Sequence, residues 1–580
     1  MKTGFVAKQV VNALATTASH VSEDRVFFAM QLARRLPPPV SRTVGRLLGS
    51  LPGPASTAAG AWLFGRESQA REIVTSTEPT KATRLLGEIA LNLGMLETAS
   101  RIAASVPGSQ TLLSRIHWTE GRISEAIDAL PESRRRRRLE SERETLAPGW
   151  RPDVDDYVPA RRSPRPAADV PLSSMHILTN SLPHTRSGYA YRSHLILRTL
   201  RDAGHDVVAA TRPSYPMTIG RLSPQPAEAV DGIEYLRHVP LLPATTPTTR
   251  LSEQAAWIAE HARRRGTDVL HTTTHYVNGL ATGAAARAIG IPWVYEVRGV
   301  LEETWAAAGA TPSARGSRRR SERFALMRAK EIEVARDADA VITLGETMRD
   351  HLIGNGIDEN SITVIPNAVS EAVVSADVSV APAEMRERLN LPTSGVWVGT
   401  AASIVAYEGL DDLVDSVIIA RSKGVDLRLL IAGDGVALPE LRERAAALGD
   451  AAVFTGRVSQ DAAIDYQLAL DAIVVPRKNE PVCRLVTPIK PIEAMGLARP
   501  VVISDLPALR ELLPTDSGLW TEPENPHRLA EVLSELAVDS EARQNFGKNG
   551  REYVLSSRRW KDIGQRYGQV YSEILGVISK

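Results

Sequence analysis

The sequence predicts an α/β protein: two tandem Rossmann-like domains behind an all-α N-terminal region. Three observations predict it. Residues 1–145 carry apolar side chains at helical spacing. A stretch rich in proline and charge, 146–171, interrupts the pattern. Beyond it, short apolar strands alternate with helices of about 10–15 residues, once from 175 and again from 396.

In the first region, Leu85, Leu86, Ile89, Leu93 and Leu96 fall on one helical face. Further helices are expected over 96–105, 110–118 and 123–130, with Gly94, Gly108 and Gly121 between them. Short paired helices of this kind resemble a degenerate tetratricopeptide-type array, without a clean 34-residue repeat. Such arrays bind partners, so a protein partner is expected to use the helices of 1–145. In 146–171, six prolines (Pro148, Pro152, Pro159, Pro164, Pro166 and Pro171) and scattered charge cannot build a core, which marks a linker.

The first α/β series, 172–380, has strands at 175–178, 206–210, 268–271, 293–297, 340–344 and 362–365. Helices are expected over 192–203 and 279–289, and a long one from Ser321. The second, 381–555, has strands at 396–400, 427–432, 452–454, 472–475 and 500–503. Its helices are expected over 410–423, 438–448, 459–468, 491–496 and 507–512. Strands of this kind form parallel sheets covered on both faces. Two such domains place a ligand cleft between the carboxyl ends of their strands. The amphipathic segment 556–580 follows.

Composition narrows the function classes. The 580 residues are 43% hydrophobic and 24% charged, in the globular range. The single cysteine, Cys483, excludes a disulfide framework. No apolar run reaches the roughly 18 residues that span a bilayer, and Lys8, Asn12 and the polar run 16–20 break any signal-peptide core. A cytoplasmic location is therefore expected. The net charge of +1 hides an asymmetry: residues 1–168 hold 24 Lys and Arg against 17 Asp and Glu. The surplus sits in the arginines of 134–138. Two readings stay open for them: attraction to an anionic partner such as the inner membrane surface, or a solvated arginine-rich face. Nucleic acid is not an expected partner.

Chemistry concentrates between Arg477 and Met495. The strand 472–475 ends in Pro476-Arg477-Lys478, and a helix begins within Pro488-Ile489-Lys490-Pro491-Ile492-Glu493-Ala494-Met495. A helix start offers free N–H groups and a positive dipole end to an anion such as a pyrophosphate. Arg477, Lys478, Arg484 and Lys490 add positive charge, and Glu493 is an acceptor for paired ribose hydroxyls.

This stretch, with Gly496-Leu497-Ala498-Arg499-Pro500 and Ser504-Asp505 after it, resembles the donor-site signature of the family-4 retaining glycosyltransferases. Further stretches agree in order. Tyr407-Glu408-Gly409-Leu410 resembles the first donor-domain helix, Ala432-Gly433-Asp434-Gly435 the glycine loop, and Thr455-Gly456-Arg457 the nucleobase loop. Val364-Ile365-Pro366-Asn367 resembles the hinge approach, Ser187-Gly188-Tyr189 the acceptor-side glycine loop, and Ala338-Asp339-Ala340-Val341-Ile342 a late strand of that half. Stretches such as Tyr295-Glu296-Val297-Arg298-Gly299 are similar to an exopolysaccharide-associated branch.

The resemblance implies a GT-B fold whose last helix crosses back to the first domain. It implies transfer of a sugar from a nucleotide-diphosphate sugar to a glycan or lipid-linked acceptor, with retention and without a metal or other cofactor. The side chains expected at the reaction are Arg298, Glu296, Lys490 and Arg477. Donor contacts are expected from Glu493, Arg484, Leu485, Val486, Thr487, Ser403, Gly433, Gly456, Arg457 and Gly188, and acceptor contacts from His275 and Tyr189. The chain departs from the pattern in three places. Leu485 stands where the family has the first carboxylate of its Glu-x7-Glu pair, and Ser403 and Glu408 stand where it has phosphate-gripping Arg and Lys. Arg477, Arg484 and Lys490 are the expected replacements. Arg315 and Arg318, Arg319 and Arg320, around Gly316, are expected in a mobile loop or helix start that meets an anionic acceptor. The lost cations motivate a rival reading, a noncatalytic scaffold with a degenerate transferase domain.

Overall fold

The computed structural model describes residues 2–33, 38–154 and 171–576. Most of the expected linker, 155–170, with Pro159, Pro164 and Pro166, lies outside them.

The first half, which the resemblance assigns to the acceptor as it assigns the second to the donor, holds an eight-stranded sheet: β1 (Ser173–Leu178), β2 (Asp206–Thr211), β3 (Ala227–Val230), β4 (Ile233–Arg237), β5 (Val269–Thr273), β6 (Trp293–Val297), β7 (Ala340–Thr343) and β8 (Ile362–Val364). Its order is β3-β4-β2-β1-β5-β6-β7-β8, parallel except for the β3–β4 hairpin. The donor half holds β9 (Val396–Ala401), β10 (Leu427–Ala432), β11 (Ala452–Gly456), β12 (Ala472–Val475), β13 (Val501–Ser504) and β14 (Gly518–Thr521), all parallel, in the order β11-β10-β9-β12-β13-β14. Both are doubly wound α/β sheets. Strands β5, β6, β7, β12 and β13 are buried along their whole length, which is why they read as apolar runs.

The tail crosses back as the resemblance implies. After the donor-domain helix Ser540–Ser557, the helices Trp560–Ile563 and Gln565–Ile574 pack on the acceptor-domain helix Gly188–Asp202. They bury Trp560, Ile563, Tyr567 and Tyr571 against Ile196, Leu197 and Leu200.

The N-terminal region is all helical, ending with Arg134–Thr145. It is docked rather than tethered. Gln9 and Asn12, both fully buried on the helix Lys2–Glu23, bond the backbone of Ser223 (2.7 and 3.0 Å) and Pro240 (2.9 Å). At the other end, Ser124 donates twice to Glu322 at 2.7 Å, Arg143 pairs with the same carboxylate at 3.2 Å, and Ser141 bonds Thr248 at 2.8 Å. The described part of the expected linker belongs to this seam. Lys330 donates to Ala147 O at 2.7 Å, and Arg151 pairs with Asp337 at 2.6 Å.

These contacts change the reading of the arginines at 134–138. Arg135 pairs with Asp24 at 3.1 Å, Arg136 with Glu140 at 2.8 Å and Arg138 with Glu23 at 3.3 Å. Two of these pins hold the first helices to the last, while Arg134 and Arg137 stay exposed.

Candidate functional site: the cleft between the two sheets

The carboxyl ends of both sheets open on one cleft of about 490 Å³. From the acceptor half come Thr179 and Asn180 after β1, Thr274 and His275 after β5, and Arg298 and Gly299 after β6. From the donor half come Ser403, Tyr407 and Glu408 after β9, Arg477 after β12, then Val486 and Lys490. Strand ends from two doubly wound domains converge where such folds bind ligands.

Arg298 and Glu296 form the acceptor-side floor. Glu296 is fully buried and accepts from Arg298 Nη2 (2.5 Å), Arg192 Nη2 (2.9 Å), Tyr567 (3.0 Å) and His271 (3.4 Å). Burial alone would raise its pKa; Arg298 and Arg192 reverse this and hold it well below the ordinary range. Glu296 lies beneath the cleft, so it positions Arg298. Arg298 lines the cleft, donates to Ser193 at 2.8 Å, and keeps a buried Nε with no partner among the described residues. Tyr567 and Tyr571 come from the tail; Tyr571 bonds His271 at 2.7 Å. The crossing helix is thus wired to the floor.

Ser187 caps the helix Gly188–Asp202 by accepting from Ala190 N at 3.3 Å. Gly188 has open space where a Cβ would stand, and Tyr189, 60% exposed, lines the cleft. His275 also lines it. Burial, with Arg212 and Arg250 nearby, lowers its pKa to about 4, so the ring is neutral, and its Nδ1 accepts from Val277 N at 3.3 Å.

On the donor side, Glu408 sits between two of the three expected replacement cations, Arg477 and Lys490. It accepts from Arg477 Nη2 at 2.9 Å and forms a short ion pair with Lys490. Burial would raise its pKa, but the two cations hold it at about 2. Burial lowers Lys490 below its ordinary range, with Arg477 adding to the shift and Glu408 opposing it. Arg477 also donates to Val486 O at 3.0 Å. Gly409 is needed beside this triad: its φ is +70°, and a Cβ would collide with the carbonyl of Pro476.

The Glu493 side chain makes no hydrogen bond or ion pair among the described residues, and it is not among the side chains that line the cleft. Burial raises its carboxyl to about 7, against the pull of Lys490. An unpaired, partly buried acceptor of this kind suits paired hydroxyls. The adjoining helix spans only Lys490–Gly496. Pro488 and Pro491 carry no N–H, so its start offers fewer donors than an ordinary helix end.

Other expected residues lie off the cleft wall. Arg484 is exposed and donates to Asn479 at 3.0 Å, and Lys478 pairs with Asp411 at 2.7 Å. Arg457 is exposed and pairs with Asp434 at 3.2 Å. Gly433 packs its backbone against Ala402 and donates to Gly456 O at 3.0 Å, which anchors the loop carrying Ser403. Thr487 is buried and accepts from Asn367 through its carbonyl at 3.1 Å; Leu485 packs into the core. Arg315 and Arg319 lie on an ordered helix, Pro312–Arg319, and reach across to Glu480, Arg315 at 2.6 Å. Of the two expected alternatives, a mobile loop or a helix start, the structure shows a helix. Cys483 is buried and its thiol is pushed up to about 12 by burial, which suits packing rather than nucleophilic chemistry. Among the described residues no cluster of three His, Cys, Asp or Glu could hold a metal. Sequence reasoning missed Arg192, Tyr567 and Tyr571; their partners are 104 or more residues away, so no local pattern announces them.

Comparison with known proteins fits this geometry. Residues 187–368 match the glycosyl transferase 4-like domain, and 392–539 match glycosyl transferases group 1. Similar proteins include an alpha-D-kanosaminyltransferase of Streptomyces kanamyceticus, 25% identical over 42% of this chain and 63% of the relative. A glycogen synthase of Rhodopseudomonas palustris is 29% identical over 40% of this chain and 50% of its own length. The chain thus spans about half to three fifths of these relatives. Among solved structures, the sucrose-phosphate synthase of Thermosynechococcus elongatus shares the fold with a TM-score of 0.56 at 19% identity, covering 70% of this chain and 100% of the other. Anabaena HepE, solved with UDP, gives 0.53 at 15% identity over 69% and 100%.

Proposed function

We propose, from the premise that this chain is a glycosyltransferase of the GT-B, group 1 type, that it transfers a sugar from a nucleotide-diphosphate sugar to a glycan, glycolipid or glycoconjugate acceptor. The observation that carries the reading is the single cleft in which Arg477 and Lys490 face Arg298. Negative charge grows on the departing diphosphate as the anomeric bond breaks. Buried cations in a dry cleft stabilise that charge more strongly than solvated ones would. Glu493 accepts the ribose hydroxyls. The acceptor hydroxyl attacks from the face the diphosphate leaves, its oxygen bonds the anomeric carbon, and its proton passes to the departing phosphate oxygen. Configuration is retained, and no metal takes part in this scheme. HepE is solved with UDP and with UDP-glucose, which supports a nucleotide-sugar donor here.

A cytoplasmic location is part of the same proposal. No helix among the described residues is long and apolar enough to cross a membrane. Contact with the inner membrane through the arginines at 134–138 loses support, because three of them pair internally.

The second reading, a noncatalytic scaffold, is favoured by Glu408, which offsets one of the two cationic charges. Calorimetry with UDP, GDP and ADP, and release of diphosphate from their sugars, separates the two. The transferase binds one of them and hydrolyses its sugar slowly, and Glu493→Ala weakens binding by about 1–3 kcal/mol, the loss of charged hydrogen bonds. No binding by any of the three overturns the reading.

A further inference from the structure

A second cavity, of about 200 Å³, lies where the helical region meets the acceptor domain. Trp118 and Leu146 wall it from one side, Leu301 and Met327 from the other. His275 and Leu301 line both this cavity and the cleft, so the two spaces adjoin.

Four polar side chains line the cavity: Glu142, Arg323, Tyr276 and His275. His275 accepts from Val277 N at 3.3 Å, and the side chains of the other three make no hydrogen bond or ion pair among the described residues. Their neighbours do. Ser141 holds Thr248, Arg143 holds Glu322, and Tyr276 N donates to Glu331 at 2.7 Å. Arg323 is fixed by stacking, with its guanidinium 5.4 Å from the Trp118 ring centre and 4.9 Å from that of Trp305. The groups around the cavity are thus held in place while its polar atoms stay open. Arg323 feels the charge of Glu142 across the cavity, but no direct ion pair closes it, so one ligand can bond both.

We infer that this cavity is an acceptor subsite for a sugar ring beyond the one that carries the reacting hydroxyl. The inference rests on the transferase reading above. A pyranose has the required chemistry on both counts. Its vicinal hydroxyls donate to Glu142 and accept from Arg323 and Tyr276, and its C–H face lies against the Trp118, Leu146 and Leu301 walls. An alkyl chain would leave a carboxylate and a guanidinium desolvated and unpaired, and a phosphate would meet the charge of Glu142. The helical region would then supply part of the acceptor site, so that acceptors of two or more sugars bind better than single sugars.

Ligand-observed saturation-transfer NMR on the full chain tests this. The probes are the methyl glycosides of glucose, galactose, mannose, N-acetylglucosamine and glucuronate, with 1-hexanol as the apolar control. At least one glycoside should bind, and Glu142→Gln and Trp118→Ala should each weaken it about tenfold, the scale of a charged hydrogen bond or a large apolar contact. Nucleotide affinity should stay unchanged in both variants. Glu142→Gln alters one atom and keeps the test valid if Trp118→Ala does not fold. The inference is overturned if no glycoside binds, if hexanol alone binds, or if binding persists in both variants, which places it in the cleft. Failure of the transferase reading shows separately, as wild-type protein that binds no nucleotide.

Discussion

Two carboxylates in this molecule each hold two cations, and they do different work. Glu296 lies under the acceptor sheet, fully buried, saturated by Arg192, Arg298, His271 and Tyr567. Glu408 lines the cleft and is shared only by Arg477 and Lys490. The first arrangement uses every acceptor position to lock a guanidinium in place. The second keeps two cations together at a surface that a diphosphate can reach. A buried carboxylate with no open side is a positioning device; one at a cleft wall is a counter-ion that an incoming anion can compete with.

The sharpest break in that comparison is Glu296→Ala. It leaves Arg192 and Arg298 buried with their charge uncompensated, so thermal or denaturant unfolding should show a loss of about 3–5 kcal/mol. A loss under 1 kcal/mol would mean that Glu296 is not the keystone described here. Lys490→Ala comes next. Turnover should fall about 10²-fold, as for removal of one stabiliser of transition-state charge, while the melting temperature moves little, since one partner of Glu408 remains. Equal turnover would remove Lys490 from the phosphate clamp. The smallest effect is a pH dependence. With its carboxyl at about 7, Glu493 is mostly protonated at pH 6 and ionised at pH 8. If Glu493 takes the ribose hydroxyls, its ionised form accepts from them more strongly, so nucleotide affinity should rise several-fold between pH 6 and 8, and Glu493→Gln should flatten the profile. Stability of the free protein should run the other way. A carboxyl raised in the folded state holds a proton that the unfolded chain has released, so stability falls as pH rises from about 4.5 to 7.

Much of the architecture was legible because parallel, doubly buried strands leave continuous apolar runs such as Ala472–Val475 and Val501-Val502-Ile503. The β3–β4 hairpin was missed although Asp231-Gly232, with φ of +48° and +79°, is the pair a tight hairpin turn favours. The site was legible in part. Local motifs pointed to Arg477, Lys490 and Arg298, which line the cleft, and to Glu493, which does not. What they could not show is pairing. Whether Arg484, Lys478 or Arg457 points into the cleft depends on Asn479, Asp411 and Asp434, and those contacts exist only in the folded chain. Glu408 is the clearest case. In the sequence it is a lost cation; in the structure it organises the two that remain. The docking of the helical region was likewise out of reach, because it rests on contacts such as Gln9 with Ser223, 214 residues apart.

We propose that Arg477 and Lys490 receive the donor diphosphate and that Glu408 restrains them. Titration of Glu408→Gln with the nucleoside diphosphate that the wild type binds, at low salt, tests it most directly. The account predicts affinity about tenfold tighter than wild type, because an anion no longer competes with a carboxylate for the same cations, with the gain shrinking as salt is raised. Unchanged or weaker affinity in a variant that remains folded would contradict it.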